Sequence, residues 1–114
     1  MKREFLDYVE DIIGAMKDAM SFVEGMNYED FVKDKRTIYA VIRAVEVIGE
    51  AVKKIPKSIR NRYPEIPWKD MAGMRNKLIH EYFGVDLKRV WKTVKEDISN
   101  LKPLFEKILK DFEQ

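Results

Sequence analysis

From Ile38 to Val52 the apolar residues return at steps near three and four: Ile38, Val41, Ile42, Val45, Ile48, Gly49 and Val52. That spacing lays them along one stripe of an α-helix, and a stripe this long is a packing seam that other helices must cover. Gly49 costs this helix about 1 kcal/mol relative to alanine. The reading is that it lets another backbone come close, within the chain or from a second copy. The helical period continues on both sides. Phe5, Val9, Ile12, Met16, Ala19 and Val23 share one face of a first helix. Gly25 then marks its end, and Asn27 is placed to cap the next helix. Pro56 can open a short helix at its first position, and Pro64 and Pro67 bracket a stiff connector before Trp68. Residues 67–83 read as one helix ended by Gly84. Asp86 is placed to cap a last segment with Leu87, Val90, Trp91, Val94, Ile98 and Leu101 inside, which Pro103 is expected to kink or split. No stretch carries a strand signal. The expected fold is all-α, an up-and-down bundle of four to five helices, forming one domain over residues 1–114.

Composition narrows the function classes. Hydrophobic residues make up 46% and charged residues 37%, too apolar for disorder and too charged for a membrane protein. The N-terminal stretch is charged throughout and does not resemble a secretory signal, so a cytoplasmic location is expected. With no cysteine and one histidine, neither a disulfide framework nor a structural zinc site is expected, and no metal or other cofactor is called for. The net charge of +2 is unevenly spread: residues 1–34 carry −5 and residues 35–114 carry +7. Lys53, Lys54, Lys57, Arg60 and Arg62 form a run with no acid inside it. Such a run attracts phosphate backbones, although lysines at a helix end also serve the helix dipole.

The stretch with chemical potential is GMRNKLIHEYF, residues 73–83, which holds the single histidine, His80. On a regular helix Asn76 and His80 stack four apart, while Arg75 and His80 lie five apart, about 140° around the axis. Arg75 therefore reaches His80 only if its side chain curls, if the helix is distorted, or if a twofold-related copy supplies the second set. An imidazole that titrates near neutral pH is suited to general acid–base work. A guanidinium binds phosphate with a planar fork and stabilises developing negative charge. With Asn76 these groups suit metal-free RNA cleavage, in which the 2′-hydroxyl attacks the adjacent phosphate. DNA lacks that hydroxyl. Taken singly, each residue also has an ordinary structural role: His80 on a surface, Arg75 in a salt bridge, Tyr82 as a core or interface aromatic.

The segment RAVEVIGEAVKKIP (43–56), followed by YPEIPWKDMAGMRNKLIHEYFGVD (63–86), resembles the HEPN superfamily and in particular its HepT branch. The hallmark of the branch is Arg, four residues, His, one residue, Tyr; here it reads Arg75, NKLI, His80, Glu81, Tyr82, with the expected polar Asn76 after the arginine. The resemblance covers about residues 36–103. It implies a homodimeric, metal-independent endoribonuclease with Arg75 and His80 catalytic at the dimer cleft and Asn76 supporting them. It also implies the toxin half of a type VII-like toxin–antitoxin pair. The implied partner is a minimal nucleotidyltransferase antitoxin that transfers AMP onto Tyr82. The basic run and Lys77 are then candidates for RNA-backbone contacts. A competing expectation is a non-catalytic helical subunit that binds nucleotide or partner for a nucleotidyltransferase. A purely structural helical dimer gives no reason for Arg75, Asn76 and His80 to coincide.

Overall fold

Capping chemistry sets where the helices begin. The computed structural model describes residues 4–80 and 84–113. Helix α1 runs Phe5–Phe22 from a reciprocal cap in which the Glu4 backbone N–H donates to the Asp7 carboxylate. Gly25 turns the chain with φ +78, and the short α2, Tyr28–Val32, starts at Asn27, whose side chain accepts from the Asp30 N–H at 2.8 Å. Asp34 caps α3, Lys35–Lys53, by accepting from the Thr37 N–H at 3.1 Å. That bond is the main reason the Asp34 carboxyl is held below its ordinary pKa. After Pro56 comes α4, Lys57–Arg62, and after Pro67 comes α5, Trp68–Ala72.

Packing follows the seam. α1 lies against α3 and the C-terminal helix, and every apolar seam residue of α3 is buried. Val9, Ile12, Met16, Ala19 and Val23 of α1 are buried as their period requires, and Phe5 meets Phe112 edge-on with centroids 5.0 Å apart. Phe31 of α2 packs on Trp91 at 5.2 Å, and Trp68 packs on Phe105 at 5.5 Å. The buried apolar side chains form one contiguous cluster. Gly49 does admit another backbone, and it comes from the same chain. A Cβ at this position would lie 3.5 Å from the carbonyl oxygens of Met71 and Ala72. The all-α bundle is therefore present, with α2, α4 and α5 as short pieces around the long helices.

Two expectations are corrected. Residues 67–83 do not form one helix. α5 ends at Ala72, α6 spans Met74–Leu78, and Ile79–His80 is extended as β1, paired antiparallel with β2, Gly84–Val85. The break has a local cause: Ile79 takes extended angles (φ −121, ψ 121), and the carbonyl of Leu78 accepts from the Asp86 N–H at 2.8 Å, so the helix end is satisfied by the returning strand. Gly84, at φ +75, supplies the left-handed conformation on that return. The pair is two residues long, too short for alternation to show in sequence.

The second correction concerns a split at Pro103. Asp86 caps α7, Leu87–Lys92, as expected, accepting from the Arg89 N–H. The chain then continues through a π turn at Thr93–Asp97 into α8, Ile98–Asp111, and Pro103 sits inside α8 without splitting it. The missing proline N–H costs one helical bond, and the burial of Ile98, Phe105 and Ile108 on either side holds the helix together.

Candidate functional site

Arg75 is brought to α3 by the close approach at Gly49. Because the α5 carbonyls rest on that glycine, the first turn of α6 comes over the preceding turn of α3. There the Arg75 Nε donates to Glu46 Oε2 at 3.1 Å. The pair is open to solvent, with Arg75 half exposed and Glu46 about one-third exposed. It therefore adds little stability, about 0–1 kcal/mol. Its effect is geometric. The bond engages Nε, and among the described residues the two Nη groups make no hydrogen bond. Among the described residues the paired Nη edge has no partner, the arrangement that suits a planar oxyanion.

Arg75 and Asn76 line a groove of about 440 Å³ against α3, together with Arg43, Glu46, Glu50 and Lys53. The Lys53 ammonium lies 3.3 Å from Glu50. Three cations face two carboxylates, which suits a singly charged phosphodiester held by a fork rather than a strongly electropositive trough. Sequence reasoning missed Arg43 and Glu46. The available signal was their position on the solvent side of α3, one or two turns before the glycine that interrupts the seam.

The structure separates several residues that the sequence places together. His80 is not stacked on Asn76 along a helix; its backbone is in β1, opposite Gly84. Of the three routes by which Arg75 and His80 could share a site, a break in the helix between them is present. The His80 side chain and the whole of Tyr82 lie outside the described residues. The basic run is also divided. Lys53 alone lines the groove with Arg75. Arg62 stacks on the Phe112 ring, 4.9 Å from its centroid, and the Tyr63 hydroxyl donates to Asp111 at 2.9 Å. α4 is thereby tied to the end of α8. Arg60 has a buried Nε with no hydrogen-bond partner among the described residues. Its stem is packed, unlike the exposed Lys54 and Lys57. Lys77 points the other way from Arg75, into a separate cleft where its ammonium lies 3.7 Å from Asp70.

Comparison with known proteins places the chain in a family. The chain is 55% identical over 113 residues to "Putative RNase MJ0125" of Methanocaldococcus jannaschii, covering 99% of this chain and 97% of the relative. It is 56% identical over 110 residues to "Probable ribonuclease HepT" of Thermococcus cleftensis, covering 96% of this chain and all of the relative. A third relative, "Putative RNase TTE0752" of Caldanaerobacter subterraneus, is 44% identical over 102 residues, covering 90% of this chain and 91% of the relative. No solved structure matches the chain. The family model described as "Ribonuclease HepT-like" matches residues 12–108, a span that holds the α3 seam, the Arg75–Glu46 pair and the hairpin of His80, and the chain belongs to that HepT-like family.

Proposed function

We propose that the chain is a metal-independent endoribonuclease that acts as a homodimer. The observation that carries this reading is the guanidinium of Arg75, steadied through Nε by Glu46 at the mouth of a polar groove. Two residues beyond the end of the same helix comes His80. His80 of one copy takes the proton from an RNA 2′-hydroxyl, whose oxygen attacks the adjacent phosphorus. His80 of the second copy gives a proton to the departing 5′-oxygen, leaving a 2′,3′-cyclic phosphate on one product and a 5′-hydroxyl on the other. Arg75 stabilises the charge that builds on the non-bridging phosphate oxygens, and Asn76 holds the phosphate or an imidazole in place. One histidine per chain makes the second copy necessary for an acid–base pair.

Regulation fits the same site. A nucleotidyltransferase antitoxin that joins AMP to the Tyr82 oxygen, with pyrophosphate leaving ATP, would put bulk and negative charge two residues from His80 and repel RNA phosphate. The chain is then the toxin of a toxin–antitoxin pair. The test is RNA cleavage by purified dimer in EDTA, with wild type, Arg75→Ala and His80→Ala compared and product ends identified. Wild type should leave cyclic phosphate ends, Arg75→Ala should lower the rate about 10²–10³-fold, and His80→Ala should be inactive. Failure of folded, dimeric protein to cut, with an intact mass showing no AMP, overturns this reading in favour of a non-catalytic binding subunit.

A further inference from the structure

A second cleft, on the opposite side of α6 from Arg75, has the composition of a nucleotide pocket. It encloses about 360 Å³ between α5–α6 and the α7–π–α8 run, within the usual range of about 300–1,000 Å³ for small-molecule sites. Its polar wall comes mostly from one helical stripe, where Arg89, Thr93, Asp97 and Asn100 recur at steps of four and three. Thr93 is decisive. It is 2% exposed, it lines the cleft, and its hydroxyl makes no hydrogen bond among the described residues. The hydroxyl oxygen is not among the buried atoms left without a partner, so it reaches the cleft surface, where a ligand atom can meet it as donor or acceptor. Thr93 also opens the π turn, a distortion found frequently at functional sites.

We propose that this cleft binds one nucleotide of the RNA strand beside the cleaved phosphate, an assignment that rests on the ribonuclease reading above. Arg89, Lys92 and Lys77 bring positive charge for a phosphate. The Lys77–Asp70 pair at 3.7 Å is exposed enough to be exchanged for a phosphate at small cost. Asp97 and Asn100 supply the acceptors and donors that a base edge or ribose requires. Pro67, Met74 and Leu101 supply an apolar surface for the base face, with the polarisable Met74 sulfur suited to an aromatic ring. A patch serving phosphate alone would need neither the apolar wall nor the carboxylate. The position is also apt. Lys77 and Leu78 line the cleft and lead directly into β1, so His80 follows Leu78 by about 7 Å of extended chain. Because Arg75 lies on the other face of α6, a nucleotide held here flanks the cleaved phosphate and does not share the Arg75 groove.

The test is calorimetric titration of the full chain with each of the four nucleoside 5′-monophosphates and with inorganic phosphate, alongside cleavage of RNAs varied at the positions flanking the cut. At least one nucleotide should bind tenfold or more tightly than inorganic phosphate. Asn100→Ala, a change on an exposed helix surface, should remove most of that difference and flatten the base preference at one flanking position. Thr93→Val, which keeps the side-chain shape, should weaken the same nucleotide without altering phosphate binding. Nucleotides that bind no better than phosphate overturn the pocket, whether or not RNA is cut. Base-selective binding in a protein that cuts no RNA overturns the assignment to the substrate strand and leaves a mononucleotide site. Cleavage with no flanking-base preference and no nucleotide affinity overturns the pocket alone and leaves the ribonuclease reading standing.

Discussion

The α1–α3–α8 core and the α6–hairpin–α7 segment are built on opposite terms. In the core, long helices repeat their apolar residues for several turns and bury them completely, as with Met16, Ile48 and Phe105. In the motif segment, among the described residues, no regular element exceeds six residues between Trp68 and Lys92. Among the described residues, the bonds that join its pieces include single links such as Asp86 to Leu78, Asp86 to Arg89 and Glu46 to Arg75. The core is stabilised by area, so it tolerates a proline within α8. The segment is fixed by a few directional contacts, so it can hold polar groups in positions that a regular helix forbids. Substitutions in the first region should register as stability, and those in the second as activity.

The largest effect expected on stability is Phe105→Ala. It removes a fully buried ring that packs edge-on against Trp68. Urea unfolding should show a loss of about 3–5 kcal/mol, with cleavage per folded molecule little changed at temperatures where the variant is folded. A loss below about 1 kcal/mol would mean that α8 contributes little to the stability of the core. Gly84→Ala comes next. Among the described residues no atom blocks a Cβ there, so the expected cost is that of the left-handed backbone, about 1–2 kcal/mol. Because the hairpin carries His80, cleavage should fall by more than the unfolded fraction accounts for.

Tyr63→Phe removes the link to Asp111 at about 1 kcal/mol. It also tests the sign of a pH effect. Burial, then the hydrogen bond to Asp111, raises the Tyr63 pKa above its ordinary 10. The folded chain therefore holds this proton more tightly than the unfolded one. The contribution is fully present below about pH 10 and is lost as pH rises through the folded value. Unfolding measured from about pH 9 upward should show this decline in wild type and a weaker one in the variant. The smallest stability change belongs to Arg75→Ala, about 0–1 kcal/mol, set against the large loss of cleavage expected at the site. A large loss of stability instead would make the Glu46 pair structural and erase the contrast between the two regions.

Local sequence was enough to specify the bundle. Helical period, caps at Asn27 and Asp86, and breakers at Gly25, Pro56 and Pro67 are local properties, and each is found where local chemistry puts it. The chain also displays the hallmark residues Arg75 and His80 to any reader, since a motif is a matter of spacing. That the helix stops between them was settled by tertiary contacts. Propensity over Met74–Leu78 favours continuing, and what ends the helix is a hydrogen bond from Asp86, eight residues further on. Glu46 was hidden for the same reason: its partner is 29 positions away, and no periodicity within one helix reports contact with another. The Thr93 cleft needed four helices to close around a π turn that no composition announces. Period and capping act within a few residues and can be read along the chain, whereas a site depends on which faces meet, and that is set by packing.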